Sequence, residues 1–386
     1  MRPVPPDTTS CDAWGLYVHI PFCRTRCAFC AFYLEIHHEH RATFFLDALA
    51  RELHWYTRSS RTCDRPAQTL YLGGGTPTSL TPTQLCGLIH TIRAYVPLAA
   101  GAEVTVEAHP ETLTQEMAES LRGAGVTRLS LGGESFEQEE LLRAGRPASS
   151  EATASAVHLA RAVGFEDINV DLMYGLPGQT LLSWTRTVEA VVAFGPSHVS
   201  CYALTVEDGS ALANQISMGR AHPPDPDLQM ELDRAAEVTL HKAGYRRYEI
   251  SNYARPGHAC RHNLLYWQNG DYLGLGPSAQ SYVQGVRFGN IADLDRYGQL
   301  LAEGVPPLEY SESLSPERRA REALVFGLRQ TAGVELALVD ELCKDAQWQG
   351  TLTELIRGKM LERSGSHLHL SDRGRHFADT VAWQLL

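Results

Sequence analysis

The 386-residue sequence predicts an α/β fold built on a parallel sheet, with a smaller C-terminal α+β domain. Three observations predict it. Short apolar, β-branched runs alternate with helical patterns at the spacing of parallel βα units. The order changes after residue 300 to helix, helix, hairpin, helix, which is winged-helix-like. The length suffices for one large core plus a smaller one.

In order, strands are expected at Gly15–Ile20, Thr69–Gly73, Glu103–Ala108, Arg128–Gly132, Ile168–Tyr174 and His198–Leu204. Helices are expected over 41–56, 82–95, 115–123, 138–144, 151–162 and 182–194. Six such units build either an incomplete barrel or a doubly wound sheet, and periodicity does not choose between them. A helix over 228–243 leads into a segment rich in Tyr, Asn and Gly, 245–290. The C-terminal part is expected as helices around 317–330, 341 onward and 352–359, an alternating segment 361–370 broken at Ser364-Gly365-Ser366, and a last helix from Asp372. The expected division is a leader 1–14, a core 15–225, a connecting region 226–300 and a C-terminal domain 301–386.

Hydrophobic residues at 44% and charged residues at 20% are ordinary for a globular protein. A formal net charge of −11 weighs against a general nucleic-acid binder. From Leu301 to Leu386 there are 13 acidic and 10 basic residues, so the terminal domain reads as a structural or lid domain, not a DNA reader. No apolar run reaches the ~18 residues of a membrane span. The polar, Pro-rich start, Met1 to Ser10, lacks the apolar stretch of a secretory signal. A cytoplasmic protein is expected.

Of nine cysteines, three crowd into Cys23, Cys27 and Cys30, and Cys11, Cys63, Cys86, Cys201, Cys260 and Cys343 are scattered. An odd count with one tight cluster points to metal or redox chemistry, not a disulfide framework. The triplet follows the first strand in Tyr17-Val-His-Ile-Pro-Phe-Cys23-Arg-Thr-Arg-Cys27-Ala-Phe-Cys30. Three thiolates on a [4Fe–4S] cluster leave one iron with an open position, as a catalytic metal requires. Arg24 and Arg26 are expected to lower the thiol pKa values. A zinc site stays open as an alternative, with His19, His37, His38 or His40 as a fourth ligand.

These residues resemble the radical S-adenosylmethionine (SAM) proteins of the HemN/HemW group, and the resemblance runs from about Gly15 to the C-terminus. It implies an incomplete (β/α)6 barrel, a [4Fe–4S] cluster on Cys23, Cys27 and Cys30, and SAM chelating the open iron. Tyr17, before the triplet, and Phe29, within it, join the implied cofactor-binding set. Gly73, Gly74, Gly75 and Thr76 are similar to the glycine motif that receives the methionine end of SAM; no Gly-Lys-Ser/Thr follows, so it is not a P-loop. Glu107 matches an acidic position near SAM, with a structural strand-end hydrogen bond as its other reading. Arg146 matches an arginine that pairs with the SAM carboxylate, which a guanidinium fork suits. Asp171 matches a residue at the adenosine. Two positions depart: Glu134 stands where the group has Gln, and Gln280 where relatives carry His. An ionised carboxylate accepts hydrogen bonds without donating them.

The group holds two functional classes: oxygen-independent coproporphyrinogen III dehydrogenases and HemW-type haem chaperones. Three features favour the chaperone class. Phe32 stands where the dehydrogenase has a fourth cysteine. Only 22 residues precede Cys23, short of the dehydrogenase's N-terminal extension. Cys260-Arg-His262-Asn263-Leu-Leu-Tyr266-Trp267 resembles the chaperone signature. The resemblance thus implies a carrier of haem for acceptor haemoproteins such as respiratory enzymes, with no coproporphyrinogen dehydrogenase activity; a homodimer and a radical SAM enzyme on another substrate stay open. His262 is the expected axial ligand, Cys260 the second candidate, and Tyr266 and Trp267 the stacking surface. The other reading of the motif is a structural knot.

Overall fold

The computed structural model describes residues 13–58, 65–146, 149–338 and 346–386. Most of the expected leader, Cys11, Cys63, Cys343, Glu341 and the proline after Arg146 lie outside the described residues.

Six strands form where alternation predicted them: β1 (Trp14–Ile20), β2 (Ala67–Gly74), β3 (Leu98–Ala108), β4 (Arg128–Glu134), β5 (Asp167–Tyr174) and β6 (His198–Ala203). Their period of two separates two faces. Leu16, Val18, Leu70, Leu72, Val104, Val106, Leu129, Leu131, Val170, Leu172 and Val199 are buried in one apolar core with the helices. Alternate positions, from Tyr17 to Ser200, are polar or glycine apart from Met173, and turn to the opposite side.

The helices are α1 (Glu39–Arg58), α2 (Pro82–Tyr95), α3 (Gln115–Gly123), α4 (Gln138–Arg143), α5 (Ser150–Ala162) and α6 (Leu181–Phe194). Capping boxes start α2, Thr81 with Gln84, and α6, Thr180 with Ser183. The strands pair in parallel in the order β1-β2-β3-β4-β5-β6. Right-handed crossovers that all step the same way put every helix on one face. The sheet is therefore singly wound and barrel-like; a doubly wound sheet would reverse its order at a switch point.

The barrel does not close on itself. After α7 (Ala211–Ser217) and α8 (Pro226–Lys242), β7 (Arg246–Arg247) and β8 (Asn252–Ala254) extend the sheet antiparallel beyond β6. Helix α9 (Arg261–Trp267) follows, and β9 (Asp271–Leu275) pairs in parallel with the free side of β1. β10 (Gln280–Val283), β11 (Val286–Asn290) and, after α10 (Leu294–Ala302), β12 (Leu308–Ser313) continue antiparallel to give twelve strands in one sheet. The strands of this Tyr/Asn/Gly-rich region escaped the periodicity because each is too short to show one. Buried Glu52 of α1 ties the extension down: it accepts from Gly276 N at 2.8 Å, Asn290 Nδ2 at 2.7 Å and Tyr297 Oη at 2.5 Å.

The C-terminal part has α11 (Pro316–Gly327), β13 (Val334–Glu335), α12 (Ala346–Arg357), the hairpin β14 (Leu361–Ser364) and β15 (His367–Leu370), α13 (Asp372–His376) and α14 (Ala378–Leu385). Its own core contains Leu324, Trp348, Leu352, Leu361, Leu368 and Val381. The hairpin turns at Gly365, φ 57°, a left-handed position that favours glycine. β13 adds an antiparallel third strand not foreseen in the sequence. Among the described residues, no helix is long and apolar enough to cross a membrane.

Candidate cluster and cofactor site

The C-terminal ends of β1 to β5 converge on a cavity of about 450 Å³. It is lined by Cys23, Cys27, Cys30, Phe29, Gly74, Gly75, Thr76, Glu107, Glu134, Arg146 and Asp171. Residues spread over 149 positions of sequence thus meet, most of them at or just past a strand end, with Asp171 inside β5 and Arg146 just after α4. Tyr17 and His262 are the expected site residues that do not line it, and Gly73 lies one residue beneath its rim.

The three cysteines sit on the loop after β1. Ala28 N donates to Ala144 O at 2.9 Å and Leu212 N to Ala28 O at 2.8 Å, so the loop is pinned from α4 and α7. Cys23 Sγ lies 3.4 Å from Thr76 Oγ1. Arg146 Nη1 donates to Cys27 Sγ at 3.5 Å. Burial raises the Cys23 and Cys27 thiols, opposed by the Thr76 contact at Cys23 and by Arg146 at both. Arg146 is thus the cation beside these thiols, which corrects the role expected of Arg24 and Arg26. Those two side chains are exposed, and Arg26 Nη2 closes its own loop onto Phe32 O at 3.1 Å.

Of the histidines weighed as a zinc ligand, His19 is committed elsewhere, whereas His37 Nε2 is buried without a hydrogen-bond partner. His19 bonds Tyr17 Oη at 3.2 Å and Tyr33 O at 3.0 Å. His37 packs edge-on to Phe22, and His38 stacks with His40 at the start of α1. Among the described residues, no three or more His, Cys, Asp or Glu side chains converge to hold a single ion.

The glycine loop is shaped by close approach. Gly74 has φ 102°, and a Cβ there would lie 2.5 Å from the His19 ring; one on Gly75 would lie 2.6 Å from Phe22 O. Gly75 N donates to Ile20 O at 2.9 Å and Thr76 N to Phe22 O at 2.6 Å, lacing the loop to the end of β1. Glu107 accepts from Tyr71 Oη at 2.7 Å and from Gly74 N at 3.1 Å. Glu134 has φ 60° at a register shift in β4, a left-handed backbone rare for a side-chain-bearing residue. Its carboxylate is 3.7 Å from Arg146. Burial raises Glu107 and Glu134 to about 7. Asp171 accepts from Ser130 Oγ at 2.9 Å and Asn169 Nδ2 at 2.8 Å. Arg146 Nη2 donates to Gly132 O at 2.6 Å, whereas its Nε is buried without a partner.

A second cavity, about 500 Å³, shares Phe32, Gly74 and Glu107 with the first. Its wall is aromatic: Tyr17, Tyr266, Trp267, Tyr272, Tyr282 and Phe326. Trp267 Nε1 is buried there without a hydrogen-bond partner. Gln280 also lines it and accepts from Tyr310 Oη.

His262 belongs to neither cavity. It is 1% exposed, with Nδ1 2.7 Å from Thr69 Oγ1 and Nε2 2.8 Å from Tyr266 Oη. Burial lowers its pKa to about 3. With both ring nitrogens occupied, an axial-ligand role for His262 does not fit this geometry. Cys260 is likewise buried, against Glu103, which holds the start of α9 through the Arg261 and His262 amides.

Sequence reasoning missed the residues that hold the site's carboxylates: Tyr71 on Glu107, and Ser130 and Asn169 on Asp171. The signal was available. Ser130 and Asn169 stand two residues before Gly132 and Asp171, so they share those residues' face of the strand.

Three thiols at the strand-end mouth of a singly wound βα sheet, beside a buried arginine and a glycine loop, define the radical SAM class. Residues 17–191 match the radical SAM superfamily and residues 314–377 the HemN C-terminal domain. The heme chaperone HemW of Mycobacterium tuberculosis H37Rv is 36% identical over 97% of this chain and 95% of its own length. That of Bacillus subtilis 168 is 33% identical over 95% of this chain and 97% of its own. The chain belongs to the HemW family of radical SAM proteins. The solved coproporphyrinogen III oxidase HemN of Escherichia coli shares the fold, with a TM-score of 0.85 at 24% identity over 97% of this chain and 90% of that one. Membership in the superfamily implies a [4Fe–4S] cluster and SAM.

Proposed function

We propose that the protein is a cytoplasmic radical SAM haem chaperone that binds haem and delivers it to haemoproteins such as respiratory enzymes. The observation that carries the cofactor reading is the three cysteines opening on one cavity beside Arg146, whose buried Nε has no partner. Cys23, Cys27 and Cys30 would hold the cluster, which would supply an open iron position and an electron for SAM chemistry. Thiols that do not converge on one point suit a cluster, with one thiolate per iron, better than a single zinc ion. Gly73, Gly74, Gly75, Thr76 and Phe29 shape the SAM cradle. Arg146 takes the SAM carboxylate, while Glu107, Glu134 and Asp171 face its positive end and adenosine.

Because Glu107 and Glu134 titrate near 7, SAM affinity should depend on pH. Their ionised forms attract the sulfonium, so binding tightens as pH rises from 6 to 8, by about tenfold per unit at most for each proton lost. Glu134→Gln should flatten the profile. Equilibrium dialysis of cluster-loaded protein at several pH values checks this, and a profile flat in the parent protein counts against these carboxylates as SAM contacts.

The haem reading draws on the HemW relatives. The aromatic cavity suits a porphyrin, whose faces stack on Tyr and Trp rings, and the unpartnered Trp267 Nε1 offers a donor to a propionate. His262→Ala should leave the haem ligand spectrum unchanged, whereas Trp267→Ala should weaken haem binding severalfold. The deciding experiment is anaerobic reconstitution followed by haem titration and a separate coproporphyrinogen III assay. One haem per chain and no protoporphyrinogen IX are expected; clear turnover would assign the dehydrogenase class.

A further inference from the structure

The short helix α4 carries a part of the cofactor site at each end. Glu134 precedes it by four residues and Arg146 follows it by three. Its C-cap residue Ala144 accepts from Ala28 N of the cysteine loop at 2.9 Å, and Arg146 N donates to Leu141 O at 2.9 Å. One helix of six residues thus stands behind a carboxylate, a guanidinium and the loop that bears the thiols. A helix this short is not stable by its own hydrogen bonds. Its position depends on what it is tied to.

The tie is Glu140, which is 3% exposed. Its Oε2 accepts from Ser135 Oγ at 2.6 Å and Gln179 Nε2 at 2.9 Å, and its Oε1 from Ser183 Oγ at 2.5 Å. These donors come from three segments: the turn after β4, the loop after β5 and the first turn of α6. Ser135 is the neighbour of Glu134, whose left-handed φ of 60° is a strained position for a side-chain-bearing residue. Such a backbone persists only where its surroundings fix it. Here Ser135 Oγ also accepts from Glu137 N at 3.0 Å, and Phe136 N donates to Thr187 Oγ1 at 3.2 Å. Gln179 in turn accepts from Gly175 N at 2.6 Å, which fixes the chain just past β5, four residues beyond Asp171.

We propose that Glu140 is a positioning residue of the SAM site: its three hydrogen bonds set where α4 lies, and with it how Glu134 and Arg146 are presented to SAM. The role rests on the SAM-binding reading above. Glu140 lines neither cavity, so it acts through those two residues. What counts is acceptor geometry, not charge. Glutamine keeps one oxygen for Ser135 and Gln179, and its amide can donate to Ser183, whose hydroxyl has a second acceptor in Thr180 O at 3.1 Å. Leucine is of similar size but leaves all three donors without this partner.

The test is SAM titration of cluster-loaded protein by equilibrium dialysis, with iron content and the electron paramagnetic resonance of the reduced cluster recorded on the same samples. Glu140→Leu should keep about four iron per chain, because the thiols are untouched. It should bind SAM at least about tenfold more weakly, with a smaller SAM-induced change in the resonance. Glu140→Gln should bring the affinity back to within about twofold of the parent. Leu88→Ala, a core truncation on α2 that lines neither cavity, controls for lost stability and should bind SAM like the parent. Should Glu140→Leu fail to fold, Ser135→Ala removes only one of the three bonds and should weaken SAM severalfold. The proposal falls if SAM affinity is unchanged in Glu140→Leu or in Ser135→Ala, or if either variant loses its iron. It falls equally if Glu140→Gln binds as weakly as Glu140→Leu, or if Leu88→Ala loses as much affinity. Parent protein that binds no SAM overturns the cofactor reading together with this role, whereas unchanged binding in the variants overturns this role alone.

Discussion

Cys27→Ser should lose the iron–sulfur cluster altogether. Reconstituted parent protein is expected to hold about four iron and four sulfide per chain, and the variant close to none. Three thiols open on the cavity, so a cluster has no spare protein ligand, and a serine hydroxyl is a hard, poor substitute for a soft thiolate. The loss is not a folding defect. Cys27 lies on a surface loop outside the apolar core, and the backbone bonds that pin this loop come from Ala28, not from the thiol. Circular dichroism should therefore match the parent while the broad visible absorption disappears. Parent protein that binds one zinc and no sulfide would refute the cluster assignment.

Arg146→Ala should weaken SAM binding by about 1.5–3 kcal/mol, roughly 10- to 150-fold. Its side chain is 11% exposed and fixed by Gly132 O, Cys27 and Glu134, with Nε buried and unpartnered. Removing it strips Glu134 of its one nearby cation, so that carboxyl, already raised to about 7, rises further and is protonated at neutral pH. Lysine should recover only part of the affinity, since it lacks the planar fork that matches a carboxylate. Titration of the reduced cluster's electron paramagnetic resonance signal with SAM measures the effect. Unchanged affinity would remove Arg146 from the SAM site.

Much of the site was legible because it obeys strand rules. Glu107 nearly ends a predicted strand, Glu134 lies two residues past one, Asp171 lies within one and the cysteines follow the first, so a parallel sheet brings them to one side. The sequence leaves His262 between an axial ligand and a structural knot, and its geometry fits the knot. Its spacing of four from Tyr266 correctly implies a shared helical face. Spacing cannot say that the face turns inward, where Tyr266 and Thr69 occupy both ring nitrogens. Arg24 and Arg26 were credited with charge beside the thiols on proximity in sequence, yet the charge comes from Arg146, 119 residues away from Cys27.

The sequence by itself determined the α/β class, the cysteine triplet and its soft-ligand chemistry, the apolar and polar faces of six strands, and the glycine loop. These depend on local periodicity and residue chemistry, which neighbours in sequence carry. Only the tertiary structure decided that the sheet is singly wound, that β9 occupies the free side of β1, and that two cavities share the wall at Glu107. Each of these follows from which strands pair and which side chains are left unpartnered once they do, and pairing is a long-range property that no local pattern encodes.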